Sequence, residues 1–199
     1  MKHRKDQKMT FEAVQSGPRA EEDAYLIRRF REGDASAFDA LYEKYYGRVF
    51  SLARGILNSN EDALDAVQET FVQVWRNLKR FEAKSQFSTW LYRISVNTAI
   101  QHARRSKRHR QNTVPLETAE TLPGGTVPEV SELKEQVYQT LTRMREEDRA
   151  VLVLYYWENQ SLEEIAEVLG CTANAAKTRL FRARERFREI WIEMEEIHE

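Results

Sequence analysis

The feature that most constrains this chain is an interruption. Three of its four prolines, Pro115, Pro123 and Pro128, fall between residues 111 and 130, together with Gly124 and Gly125. On both sides apolar residues recur at helical spacing, and β-type alternation extends over no useful length. Proline lacks a backbone donor and glycine samples too many conformations, so this density ends helices. The stretch also holds Glu117, Glu120 and Glu129 and no basic side chain. The chain therefore reads as all-α, two small helical domains joined by a flexible acidic linker. The expected divisions are a disordered tail over 1–19, a first domain over 20–110, the linker over 111–130 and a second domain over 131–199 that ends in a helical extension.

Hydrophobic residues make up 41% of the 199, enough for two small cores. The 31 basic and 32 acidic side chains nearly cancel. Such a balance argues against a protein that coats nucleic acid indiscriminately and puts the weight on local patches. Cys171 is the only cysteine, so no internal disulfide forms and a reducing cytoplasm is the expected compartment. His3, His102, His109 and His198 are scattered without zinc-ligand spacing. No apolar run approaches the ~20 residues of a membrane span. The charged start MKHRKDQKMT lacks the apolar stretch of a signal peptide. There is no glycine-rich phosphate loop, metal cluster or nucleophile motif, so neither catalysis nor a cofactor, metal or small-molecule substrate is expected.

In the first domain, Gly33 and Asp34 divide two helices, with Asp34 placed to cap the second. In EDALDAVQETFVQVWRNL, a 3.6-residue period gathers Leu64, Val67, Phe71, Val74, Trp75 and Leu78 into a core-facing stripe. Asp62, Asp65, Gln68, Glu69 and Arg76 gather on the other side with Val72. That face is either solvated or a docking surface, and spacing alone does not separate the two. A loop over 82–86 leads to a further helix with Ser85 or Ser88 as its expected cap. Its first turns hold Phe87, Trp90, Leu91, Tyr92 and Ile94, with Trp90 and Ile94 read as core. Its last turns hold Arg104, Arg105, Lys107, Arg108 and Arg110 with no acidic residue among them. Asn97, Gln101, Arg104 and Arg108 share one stripe. Aromatic rings beside a basic run suit single-stranded DNA, because cations hold phosphates and rings accept unstacked bases.

In the second domain, helices are expected over 131–145 and 147–157. In SLEEIAEVLGCTANAAKTRLFRARERF, Ser161 and Glu164 form a capping box. Ile165, Ala166 and Leu169 form the buried face of a short helix that Gly170 terminates, and Thr172 caps the next. A short helix, a glycine turn and a basic second helix describe a helix-turn-helix. Ala176, Leu180, Ala183, Phe187, Ile190 and Trp191 align inward. Asn174, Ala175, Thr178 and Arg182 lie opposite, flanked by Lys177 and Arg179, as a recognition helix presents them to a major groove. Cys171, in the turn, reads as a small half-buried residue. Ile190, Trp191, Met194 and Ile197 of the extension could cap the domain or meet a partner.

Four stretches, DALYEKYYGRVFSLA, EDALDAVQETFVQVW, FSTWLYRISVNTAIQHARR and SLEEIAEVLGCTANAAKTRLFRARERF, occur in an order and at a spacing that resembles the extracytoplasmic-function, or group IV, sigma factors. The resemblance covers nearly the whole chain. It implies that Asp62, Asp65, Gln68 and Glu69 of a sigma-2 domain bind the β′ clamp helices of core RNA polymerase. It implies that Ser85, Gln86, Phe87, Tyr92, Asn97, Gln101, Arg104, Arg105 and Arg108 engage the promoter DNA of the −10 element, where a base is flipped out. It further implies that Asn174, Lys177, Thr178, Arg179 and Arg182 of a sigma-4 domain read the −35 element, and that this domain also touches the β flap. The acidic linker resembles the segment that threads toward the polymerase active-site cleft. A cognate anti-sigma factor is implied, as is a cytoplasmic location, with the inner membrane face possible if that factor is membrane-bound. Two departures stand out: Gln101 where relatives often carry Asp, and Asn174–Ala175–Ala176 where Gly-Thr-Val is common. A stand-alone helix-turn-helix regulator would explain the second domain and leave the first domain's two distinctive helices without a task.

Overall fold

The computed structural model describes residues 18–112 and 132–196, and eight α-helices lie among them. Residues 1–17 of the tail expected over 1–19, and nearly all of the linker, lie outside the described residues, and Pro18 already belongs to a helix. The first helical group comprises α1 (Pro18–Arg31), α2 (Ser36–Leu57), α3 (Asn60–Asn77), a single 3-10 turn (Leu78–Arg80) and α4 (Phe87–Asn112). The second comprises α5 (Glu132–Thr142), α6 (Glu146–Tyr156), α7 (Leu162–Leu169) and α8 (Ala173–Glu196). Helix α4 continues two residues beyond the expected boundary at 110.

The helix ends follow from local chemistry. Asp34 accepts hydrogen bonds from the Ser36 amide at 3.0 Å and the Ser36 hydroxyl at 2.6 Å, which satisfies a donor at the start of α2. These bonds, the Ser36 hydroxyl foremost, hold the Asp34 carboxyl below its usual range. Ser59 caps α3 by accepting from the Asp62 amide at 3.2 Å. Helix α4 opens differently from expectation. It begins at Phe87, and the carbonyl of Gln86 accepts the Trp90 amide, so the residue before the helix is Gln86 and not a serine. The Ser161–Glu164 capping box is complete, with bonds of 3.2 Å and 2.8 Å. Gly170 ends α7 at φ 62°, in the left-handed region that glycine adopts without steric cost. Thr172 then accepts the Ala175 amide at 3.2 Å at the start of α8.

The core of the first group gathers Leu26, Phe30, Phe38, Leu41, Val49, Val67, Phe71, Val74 and Leu91 from all four helices. Buried large apolar side chains contribute about 1.5–3 kcal/mol each relative to exposure. A buried polar contact seats α1 on α2: Asp23 accepts from the Tyr45 hydroxyl at 2.5 Å and from Lys44 at 2.8 Å. Burial and this carboxylate push the Tyr45 hydroxyl far above its usual range. The core of the second group contains Leu141, Met144, Val151, Leu152, Leu180, Ala183, Ile190 and Met194. Burial of Ile190 and Met194 makes the helical extension a cap on its own group, one of the two roles open to it. Ile197 lies outside the described residues.

A third cluster joins the groups. Leu52 and Ile56 of α2 with Tyr92, Val96 and Ala99 of α4 pack against Val153 and Leu154 of α6, Ile165 and Val168 of α7 and Ala176 of α8. The two domains expected on an acidic tether therefore share an apolar contact.

Candidate nucleic-acid interface

Helix α3 buries Ala63, Ala66, Val67, Thr70, Phe71 and Val74. This face is rotated from the expected stripe, because the small residues Ala63 and Ala66 let α3 approach its neighbours closely. Leu64 and Trp75 are consequently 43% and 45% exposed, which corrects their placement in the core. Only the inner edge of Trp75 is sheltered, at 4.9 Å from the Phe30 ring and 4.8 Å from the Phe38 ring. The outward face presents Leu64, Val72 and Trp75 among Asp65, Gln68 and Arg76. Exposed apolar side chains in such a setting signal a binding surface more than a solvated one. Among the sequence-derived candidates, Asp65 and Gln68 lie on this face, and Asp62 is half-buried in the first turn of α3. Glu69 is turned away from it. Its carboxylate lies 2.7 Å from His102 Nε2 and 3.6 Å from Arg105, and so ties α3 to α4.

On α4, Asn97, Gln101, Arg104 and Arg108 are all exposed and form the expected stripe, with Arg105 and Lys107 beside it. The cluster is not uncompensated as its local sequence suggested. Arg104 is 2.7 Å from Glu147 of α6, and Arg105 faces Glu69. Burial alone would raise the Glu147 carboxyl, yet the Arg104 hydrogen bond and charge hold it below its usual range. Ser85 and Gln86 are half-buried at the mouth of the loop. Phe87 and Tyr92 differ from the rest of the candidate set because both are buried. Phe87 is 4% exposed and packs edge-on to Tyr45 at 5.3 Å and Phe81 at 5.9 Å. Tyr92 is sealed under the second group, and its hydroxyl donates to Glu158 at 2.7 Å. In this arrangement neither ring can receive a base. Trp90 and Ile94 are partly buried against the core, in line with their reading as core residues.

On α8, Asn174, Lys177, Thr178, Arg179 and Arg182 are all exposed, and Ala176, Leu180 and Ala183 opposite them are buried. Phe187 and Trp191 are only half-buried and stack on each other at 5.8 Å. Phe181, absent from the sequence-derived set, is 64% exposed between Lys177 and Thr178 in helical projection. The signal that could have found it was its offset from the Ala176–Leu180–Ala183 stripe, which leaves an aromatic ring on the basic face without a burial partner. Among the described residues, no group of three or more His, Cys, Asp and Glu could hold a metal ion, and no helix is long and apolar enough to cross a membrane.

The Sigma-70 region 2 model matches residues 41–109, and the Sigma-70, region 4 model matches residues 134–187. The RNA polymerase sigma-H factor of Pseudomonas aeruginosa is 36% identical over 176 residues, spanning 83% of this chain and 91% of that protein. The ECF RNA polymerase sigma-E factor of Escherichia coli K12 is 35% identical over 176 residues, spanning 82% and 91%. Among solved structures, CnrH in complex with the cytosolic domain of CnrY superposes with a TM-score of 0.64 at 26% identity, covering 85% of this chain and 96% of that one. The sigma factor RpoE in complex with the anti-sigma factor NepR from Bartonella quintana shares the fold, with a TM-score of 0.62 at 24% identity over 77% and 95%. The chain belongs to the extracytoplasmic-function sigma factors of the sigma-70 family, non-enzymatic initiation factors that direct RNA polymerase to promoters.

Proposed function

We propose that three faces divide the work of initiation. The outward face of α3 docks on the β′ clamp helices of core polymerase through Asp65 and Gln68, with Leu64, Val72 and Trp75 supplying the apolar centre. Contacts of this kind draw their energy from a few desolvated aromatic and aliphatic anchors, with charged residues setting orientation. Asp62 assists from the first turn, and Glu69 acts mainly by holding α3 against α4.

The stripe Asn97, Gln101, Arg104 and Arg108, with Arg105, tracks the backbone of the opened −10 strand. Ser85, Gln86 and Tyr92 border the site of the flipped base once the second group has moved away, and Phe87 braces that site from the core of the first group. The exposed face of α8 reads the −35 duplex: Lys177 and Arg179 hold phosphates, Asn174, Thr178 and Arg182 reach base edges, and Phe181 offers apolar contact to thymine methyl groups. The second group also meets the β flap. An anti-sigma factor is the regulatory partner, and the family resemblance is the support for it. The site of action is the cytoplasm, at the inner membrane face if that partner is anchored there.

The observation that carries this reading is the segregation of exposed functional side chains onto three faces of an otherwise well-packed helical protein. DNase and permanganate footprinting of the reconstituted holoenzyme tests it. Arg182→Ala should lose upstream protection at −35, while Arg104→Ala with Arg108→Ala should lose permanganate reactivity at −10. An identical pattern of loss for both sets would contradict the division.

A further inference from the structure

We propose that the cleft between the end of α4 and the α5–α6 turn binds a small polyphosphate anion, one that carries two or more adjacent phosphoryl groups. The cleft has a volume of about 1470 Å³. Arg104, Arg105 and Lys107 line it from α4, and Arg143, Arg145 and Arg149 line it from the turn and from α6. Asp62, Glu146 and Glu147 share the lining, and six cations against three carboxylates leave the cleft positive.

The observation that points to a ligand is Arg149. It is 6% exposed, and its Nε has no hydrogen-bond partner. The Glu146 carboxylate stands 3.6 Å from its Nη2, beyond hydrogen-bond length. Burial pulls the guanidinium below its usual range, against the charges of Glu146 and Glu147. A buried cation in this state is costly, and such groups are ordinarily satisfied by a protein atom, a water or an ion. Lys107 and Arg143 form no ion pair among the described residues, so their charges are open to a ligand as well. Helix α6 begins here without a side-chain cap, which adds the positive end of its dipole to the same cleft.

The lining selects the class of anion. A guanidinium fork meets phosphoryl oxygens through two parallel hydrogen bonds, and several forks around one cleft favour a ligand with several phosphoryl groups over a lone orthophosphate. Among the described residues no aromatic ring lines the cleft, so unstacked bases find no surface there. That separates the site from a path for single-stranded DNA. The apolar lining among those residues is Leu57, Ala103 and Met144, too little to hold an acyl chain. Arg104 and Arg105 belong both to this cleft and to the −10 stripe, so a bound polyphosphate competes with the opened strand. That consequence alone rests on the division of faces proposed above.

Isothermal titration of the full chain with tripolyphosphate, without divalent cations or DNA, tests the site. Saturable binding is expected, about tenfold tighter than that of orthophosphate. Arg143→Ala with Arg145→Ala, both exposed positions, should weaken it about tenfold with an unchanged melt. Arg149→Lys keeps the charge, loses the fork and should weaken it several-fold. Lys79→Ala with Arg80→Ala, an exposed basic pair elsewhere in the first group, should leave it unaltered. A nucleoside triphosphate distinguishes the source: equal affinity assigns the site to the phosphates alone, and tighter binding assigns it to a nucleotide that carries them. Absence of saturable binding overturns the proposal, as does equal affinity for orthophosphate. A loss shared equally by the Lys79 and Arg80 variant also overturns it, since the attraction would then be to surface cations at large. Displacement of a single-stranded −10 oligonucleotide by tripolyphosphate is read in parallel. Binding without displacement upholds the site and counts against the −10 role of Arg104 and Arg105.

Discussion

The hydroxyl of Tyr92, on the fourth helix of the first domain, donates a 2.7 Å hydrogen bond to the carboxylate of Glu158, on the second domain, across the seam between them. Tyr92 is fully buried there, and its hydroxyl is pushed above its usual range first by burial and then by the Glu158 charge. The Arg48 guanidinium lies beside both groups. A side chain expected to meet promoter DNA is therefore part of the contact that holds the two domains together.

That contact should depend on pH. Burial holds the Glu158 carboxyl above its usual range, with the Tyr92 hydrogen bond and the Arg48 charge opposing. For an acid raised in the closed form, the stabilisation is full below its ordinary value and is lost as pH rises through the raised one. Glu147, paired with Arg104, is held below its usual range, so its contribution is present above the ordinary value and lost as pH falls through the lowered one. Closure should tighten from neutral pH toward the carboxyl range and loosen again below it. Interdomain distances across that range give the readout. Glu158→Gln should flatten the neutral limb and leave the acid limb, and an unaltered neutral limb would contradict the assignment.

Asp65 and Glu69 should part company under charge reversal. Asp65 is exposed on the outward face of α3, so Asp65→Lys should leave stability within about 0.5 kcal/mol. It should weaken binding to core polymerase about tenfold, or about 1.4 kcal/mol. Glu69 faces His102 and Arg105, so Glu69→Lys should also lower the thermal midpoint. Titration against labelled core enzyme, with parallel melts, separates the two.

On the recognition helix, Arg182→Ala should cost about 1–3 kcal/mol of discrimination at −35 if the side chain reads a base edge. Lys177→Ala should instead weaken all sequences alike and reduce the salt slope by about one. Phe181→Ala should lose affinity chiefly at sites with thymine at the contacted position. Competition binding of the holoenzyme on single-substitution promoters distinguishes the three patterns.

The capping box at α7 carries a stability prediction. Ser161→Ala removes the acceptor for the Glu164 amide and should destabilise the second domain by about 1 kcal/mol. Urea unfolding followed by tryptophan fluorescence reports it, and an unchanged midpoint would show that the helix start is held by packing instead.

Most helices and caps were legible in the sequence because local chemistry decides them. Asp34, Ser161 with Glu164, Gly170 and Thr172 all act where their spacing placed them. The exposed candidates on α4 and α8 were legible for the same reason, since each amphipathic face has a single period. What the sequence hid depends on how helices pack. The face of α3 turned because Ala63 and Ala66, weak signals of burial, are where the neighbours come closest, and Leu64 and Trp75 were released to the surface. The interdomain seam was invisible because Leu52, Tyr92 and Leu154 lie far apart in sequence and none looks unusual in its own helix. Compensation of the basic cluster by Glu69 and Glu147 was hidden likewise.

The central claim, that this chain gives RNA polymerase its promoter preference through both domains, is tested most directly by run-off transcription. Purified core enzyme and the full chain are combined on a library randomised across the −35 and −10 regions, and initiated transcripts are sequenced. The account predicts enrichment at both elements, with Arg182→Ala erasing preference only at −35 and Asn97→Ala only at −10. Sequence-independent initiation by active core in the presence of the factor, or enrichment confined to one of the two elements, would contradict it.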